Sequence, residues 1–314
     1  MVDYKSEGKE AEEVSENKFT NISVKSNIIL NVILSILALI AILPFIFVVI
    51  ISFTDEKILR TNGYSFFPQK FSADAYKYVM GGSSQLTQSY LVTILITVLG
   101  TIIGLLFIST FAFVLSRRNF AFKKFFTMVV FIPMLFGGGM VSFYLIMTQV
   151  LHLKNTIWAL ILPLSVNSWY IIILRTFFKT SVPEAVIESA KIDGAGELRI
   201  FFQIVLPISL AGIATIALFL TLGYWNDWFN AMLFIDKESL APLQYMLIRI
   251  ENNMEFLSNN ATKLGVSQIL ASNSMPKETA KMAMVVLSTA PIIFAYPFFQ
   301  KYFVSGLTIG AVKE

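Results

Sequence analysis

The chain contains no cysteine and only one histidine, His152. Without cysteine there are no disulfides, no thiolate nucleophile and no thiolate-bound zinc or iron–sulfur cluster. One imidazole is too few for a histidine-based metal site or a doubly ligated haem. Charge is scarce as well: Asp, Glu, Lys and Arg make up 14% of the residues, where soluble domains carry about a quarter. No G-x-x-x-x-G-K-[ST] run occurs, so the chain has no P-loop in which to hold a nucleotide. Nor is there a nucleic-acid-binding motif to give the net charge of +4 that meaning.

What the chain has in abundance is apolar sequence. Hydrophobic residues make up 56% of it and the mean hydropathy is +0.70, the values of an integral, all-α membrane protein. Crossing the hydrocarbon takes about 20 mostly apolar residues, and six stretches qualify: 28–53, 90–116, 125–150, 157–178, 206–234 and 280–303. They define a permeating core over 27–303, between a polar tail at 1–26 and a short tail at 304–314. The N-terminal tail is acidic (Glu7, Glu10, Glu12, Glu13, Glu16), and the first apolar run is too long for a signal h-region, so it reads as a retained anchor.

Six crossings place both termini on one side of the membrane. Arg117, Arg118, Lys123 and Lys124 crowd the loop after the second span with no acid beside them, which makes that side the cytoplasm. Lys18, Lys25, Arg175, Lys179, Lys191, Arg199 and Lys301 agree. Outside lie loops at 54–88, around His152 and Lys154, and at 236–278. In the first, Ser72 and Asp74 begin a short amphipathic helix, suited either to a docking partner or to the bilayer surface.

One cytoplasmic segment is neither span nor simple loop. Ser181-Val182-Pro183-Glu184 has the form of a capping box, and the helix it predicts puts Val182, Ala185, Val186, Ser189 and Ala190 on one stripe. Gly194 supplies a left-handed stop. Beyond it Leu198, Phe201, Phe202 and Val205 recur at helical spacing towards Pro207. The segment 181–207 is therefore expected as helix, glycine elbow, helix, a knob too polar for lipid.

Glu188-Ser189-Ala190, three residues, Gly194, nine residues and Ile204-Val205-Leu206-Pro207 resemble the E-A-A, x3, G, x9, I-x-L-P motif of ABC importer permeases, with Ser189 in place of an alanine. The six spans and "YWNDWF" are similar to carbohydrate permeases of the maltose-transporter type. "ESAKIDGAGELRIF" and "FGGGM" most resemble the subgroup for oligosaccharides and polysaccharide fragments. The resemblance implies a type I importer permease fold and a multi-pass subunit of a bacterial cell membrane, moving a carbohydrate by alternating access. It also implies that Glu188, Ser189, Ala190, Asp193, Gly194 and Pro207 belong to a coupling segment between spans four and five, seated in an ATPase subunit. Glu188 would pair with a basic group there, with Ala190 and Gly194 allowing close approach. The implied partners are a second, similar permease chain, two cytoplasmic ATPase subunits that bind ATP and Mg, and an extracytoplasmic solute-binding protein. This chain would carry no cofactor of its own, touch membrane lipid and bind no nucleic acid.

Polar and aromatic residues inside spans are the candidates for a sugar path, because aromatic faces stack on sugar rings while amides and carboxylates take hydroxyls. They are Trp225, Asn226, Asp227 and Trp228 in the fifth span, Asn167, Trp169 and Tyr170 in the fourth, and Tyr144 in the third. The competing reading makes the tryptophans an interfacial belt and gives Asn226 and Asp227 the task of holding a helix break. Gly137, Gly138 and Gly139 either unwind the third span or admit a close helix. A permease for peptides or amino acids is the nearest alternative. A membrane enzyme is the more distant one, since Asp227 has no evident acidic partner.

Overall fold

The computed structural model describes residues 23–81, 83–260 and 276–311. Most of the acidic N-terminal tail and the far part of the 236–278 loop lie outside those residues. Among the described residues the chain is helical, the only strand-like pairing being the isolated bridge between Thr54 and Phe71.

Three helices are long and apolar enough to cross a bilayer unbroken: α1 (Val24–Ser52), α4 (Ser83–Ser116) and α14 (Lys277–Ala311). α14 runs on past Phe303, where the apolar reading ends the sixth span. The other three expected spans are bent pairs. α5 (Lys123–Leu135) and α6 (Met140–Val150) meet at 116°, α7 (Trp158–Ser165) and α8 (Ser168–Ser181) at 47°, and α10 (Glu197–Ile208) and α11 (Leu210–Trp225) at 85°. The fifth stretch, 206–234, is not one helix: α11 stops at Trp225 and a separate α12 follows at Phe229–Phe234.

Two of the three breaks have a plain local cause. Between α5 and α6 stand Gly137, Gly138 and Gly139. A Cβ added at any of them would meet nothing within 4 Å, and Gly139 has φ +78°. Among the described residues nothing approaches these glycines, so of the two readings it is unwinding that the structure supports. Between α7 and α8 the chain is extended at Val166 and Asn167, and the Asn167 side chain caps α8 by accepting from the N–H groups of Trp169 and Tyr170 at 2.9 and 3.3 Å. Apolar flanks keep both halves helical; the asparagine restarts the second.

α4 and α11 form the centre of the bundle, and two glycines let them approach. A Cβ on Gly100 would lie 2.4 Å from the ring of Tyr224, and one on Gly104 would press on Leu220 and the Ser165 carbonyl. The four-residue glycine spacing is that of close helix contacts in membranes. Tyr224 is fully buried, and its hydroxyl donates to the Ile161 carbonyl at 2.7 Å, tying α11 to α7.

The 54–88 segment is more structured than a loop. α2 (Glu56–Asn62) and α3 (Asp74–Met80) pack beside α14, and the Ser72 hydroxyl accepts from the Asp74 N–H ahead of α3. In the 236–278 segment α13 (Leu243–Asn260) buries Leu243, Met246, Leu247 and Met254. Those residues repeat at i, i+3, i+4 and i+11, a helical signal that was present in the sequence. Glu56 bridges the two segments. Its carboxylate accepts from the Glu278 N–H at 3.2 Å and from the Thr279 N–H and hydroxyl at 2.9 and 2.8 Å, capping α14 from across the chain.

Candidate functional site

The elbow is built as the sequence suggests in outline and differently in detail. α8 runs through Ser181, so Ser181 does not cap the next helix. α9 (Glu184–Ile192) starts after Pro183 with no side-chain cap. The residue before a proline is driven out of helical geometry, and Val182 is accordingly extended. Val182 and Ile187 instead occupy the positions of a hydrophobic staple, and both are buried in one cluster.

The buried stripe is therefore Val182, Ile187 and Ala190, while Ala185, Val186 and Ser189 face outward. Ala190 packs into the chain's own core. In α10 a π-helical turn over Phe201–Val205 shifts the phase, burying Ile200, Phe201 and Val205 and leaving Leu198 and Phe202 exposed.

The turn itself closes in a Schellman arrangement. Gly194 has φ +80° and donates to the Lys191 carbonyl at 3.0 Å, while the Ala195 N–H reaches the Ala190 carbonyl at 2.9 Å. Asp193 is the C-cap of α9 and is exposed. Lys191 and Glu197 pair across the turn at 2.6 Å. Glu188 is exposed, and its side chain makes no hydrogen bond or ion pair among the described residues. Ile192, one turn on from Glu188, and Leu198, beyond the glycine, are 86% and 75% exposed. The elbow thus offers a free carboxylate flanked by bare apolar side chains. That composition suits a protein partner that supplies a cation and a greasy cleft. Pro207 lies inside α10 just before Ser209, where the chain turns into α11; Gly212, one turn on, has no room for a Cβ against Phe177.

Beside the elbow, the α4 end presents Arg117. Its guanidinium lies 4.9 Å from the Phe113 ring centre and donates twice to the Ser116 hydroxyl, at 3.2 and 3.1 Å. Burial pushes the Arg117 guanidinium below its ordinary value, a shift opposed by the charges of Glu184 and Glu197.

The proposed sugar-path residues are not gathered into one cavity, and most of them have structural tasks. Trp225 is nearly buried, and its indole N–H donates to the Ser288 carbonyl at 2.9 Å, joining α11 to α14. Asn226 donates to the Leu222 carbonyl and accepts from Gln244. Asp227 accepts from the Asn230 backbone N–H at 3.1 Å and its amide at 2.8 Å, holding the start of α12. Tyr144 stacks on Phe234 with ring centres 5.9 Å apart, and Tyr170 stacks on Phe219 at 5.8 Å. Trp169 and Trp228 remain open, at 58% and 39% exposed. A cavity of about 380 Å³ lies between α4, α11 and α14, lined by Thr97, Thr221, Trp225 and Tyr296 among mostly apolar neighbours.

At the opposite end from the elbow, Asn155, at φ +59°, staples the segment before α7 to the segment after α12. Its amide oxygen accepts from the N–H groups of Asp236 and Lys237, at 2.6 and 3.1 Å, and Lys154 pairs with Asp236 at 2.9 Å. His152 stands exposed on the same turn.

Residues 96–309 match the family described as binding-protein-dependent transport system inner membrane component. Protein LplC of Bacillus subtilis is 40% identical over 87% of this chain and 90% of its own length. The polygalacturonan/rhamnogalacturonan transport system permease protein YtcP, also of Bacillus subtilis, is 38% identical over 88% of this chain and 94% of its own. A chain from the crystal structure of a bacterial ABC transporter involved in the import of the acidic polysaccharide alginate superposes with a TM-score of 0.73 and 30% identity. That match covers 90% of this chain and 99% of the other.

Proposed function

This chain belongs to the binding-protein-dependent transport system inner membrane components, the permease subunits of ATP-binding-cassette importers, and on that footing we propose that it passes an oligosaccharide through the membrane while separate subunits hydrolyse ATP. The sugar-transport names of its relatives speak for carbohydrate cargo over peptide or amino acid. Fragments of a polysaccharide are the first cargo to test.

In this reading both termini and the elbow face the cytoplasm, and two ATPase subunits carry the ATP and Mg. A second, similar permease chain completes the pathway, and a solute-binding protein delivers the sugar on the outer side. The observation that carries the reading is the elbow: Glu188 stands unpaired on a tip whose apolar residues Ile192 and Leu198 are bare. Glu188 meets a cation of the ATPase, Ser189 lies on the contacting face, Asp193 and Gly194 shape the tip, and Ala190 anchors the knob to its own bundle. Pro207 marks where the knob joins the bend into α11. Trp169 and Trp228, the open aromatics, are the sugar-stacking candidates; Asn167, Tyr170, Tyr144, Trp225, Asn226 and Asp227 hold the broken helices whose rearrangement opens the path.

Affinity purification of the tagged permease from its native membrane tests the contact. Glu188→Lys should insert normally and recover much less ATPase subunit than wild type. Equal recovery would remove the elbow from the interface.

A further inference from the structure

One feature of the elbow is not explained by a docked ATPase. A cavity of about 370 Å³ separates the elbow from the end of α4, lined by Phe113, Arg117, Asn119, Glu184, Lys191 and Glu197. Arg117 uses Nε and Nη2 on Ser116, but its Nη1 is buried with no hydrogen-bond partner among the described residues. Glu197 on the far wall is held by Lys191. The Glu184 side chain makes no ion pair or hydrogen bond among the described residues. An arginine with one unpaired donor and a glutamate with an unpaired carboxylate therefore line the same gap.

Unsatisfied buried donors are costly and uncommon, and each calls for an explanation. The wall that carries Arg117 is firmly made. Phe113 under the guanidinium packs at 5.1 Å on Phe201 of α10, and Lys123 donates to the Arg117 carbonyl at 2.7 Å. The wall that carries Glu184 is the first turn of α9, whose apolar stripe rests on the same cluster as Phe113. A shift of the elbow towards α4 would close the gap without breaking the cluster.

We propose that Arg117 is a positioning residue for transport, its free N–H group taking the Glu184 carboxylate when the elbow is pushed against the bundle, so that the thrust passes into α4. The proposal rests on the elbow being the ATPase contact. It adds a second, internal contact that exists in one transport state and not in the other, which is what a coupling element requires. Arg118 and Lys191 line the same gap, and Lys191 is already taken by Glu197.

The test uses the whole complex in proteoliposomes, reading uptake per ATP hydrolysed. Arg117→Gln and Glu184→Gln should each lower that ratio roughly three- to tenfold, the size expected for a coupling contact, with the ATPase subunits still bound. The swapped pair Arg117→Glu with Glu184→Arg should recover most of it, which a merely structural arginine would not. An unchanged ratio in Arg117→Gln, or a swapped pair no better than Arg117→Glu alone, overturns the proposal. Should Arg117→Gln fail to assemble, the cysteine-free background permits a direct alternative with both charges intact. Asn119→Cys with Lys191→Cys should cross-link severalfold more in the ATP-trapped complex than without nucleotide; equal yields overturn the proposal. Failure of the underlying reading would appear separately, as full ATPase recovery by Glu188→Lys.

Discussion

Glu56 and Thr279 lie far apart in sequence, yet the Glu56 carboxylate accepts both the backbone N–H and the hydroxyl of Thr279, at 2.9 and 2.8 Å. A single acid thus caps the first turn of α14 and fastens the segment after α1 to it, with Arg60 pairing to the same carboxylate at 2.9 Å. Glu56→Ala should therefore destabilise the detergent-solubilised protein by about 1–2 kcal/mol, the range for a lost helix cap. Glu56→Gln should lose less, because an amide oxygen can still accept. A thermal-melting comparison of the two variants checks the order.

The close contact of α4 with α11 makes a second prediction. Gly100→Ala places a methyl against the Tyr224 ring and should cost about 1–3 kcal/mol through overpacking. Adding Tyr224→Leu should return part of that cost by removing the ring, though it forfeits the bond to the Ile161 carbonyl. If Gly100→Ala melts like wild type, the glycine is not needed for the helix approach.

pH gives a third test. Pairing with Lys70 holds the Asp55 carboxyl below its ordinary value, with the N–H groups of Ile58 and Lys57 adding to the effect and burial opposing it. A carboxylate whose folded pKa is depressed contributes stability above the unfolded pKa of about 3.9 and loses it as pH falls through the folded value. Lys70→Met should thus melt lower than wild type at neutral pH, and the gap between them should narrow as the pH falls below that unfolded value. A gap that stays constant through the acid range would contradict the pairing.

The open aromatics give a fourth. Trp169→Ala and Trp228→Ala should reduce oligosaccharide uptake while leaving ATPase recruitment intact, whereas Asp227→Asn should act first on stability, because its carboxylate holds Asn230 and the start of α12. Uptake at wild-type rates in both tryptophan variants would remove them from the path.

Much of this architecture could be read from the sequence because hydrophobic runs and spacing carry it. α1, α4 and α14 are long apolar stretches, and the Glu188 to Pro207 pattern marks the elbow together with its left-handed glycine. The α13 helix was equally present as a period of Leu243, Met246, Leu247 and Met254, and was hidden only by its polar surroundings. Other features were not local enough to read. The restart at Asn167 is set by one capping side chain inside an apolar run. The π turn at Phe201–Val205 rotates a face that simple periodicity keeps in phase. The Glu56 cap joins segments on opposite sides of the sequence. Pro183 stands inside the Ser181 and Glu184 spacing, and its effect on Val182, rather than that spacing, decides where α9 begins.

The most direct test of the central claim, that the Glu188 to Pro207 elbow drives transport with energy released elsewhere, replaces Gly194. Its φ of +80° suits glycine, and Gly194→Val should strain and reshape the tip without touching the core, since a Cβ there meets nothing within 4 Å. Uptake of oligosaccharide and ATP hydrolysis should be measured together in proteoliposomes of the whole complex. The account predicts that Gly194→Val inserts and assembles with its partner permease but loses most ATP-dependent uptake; wild-type uptake at wild-type ATP turnover would contradict it.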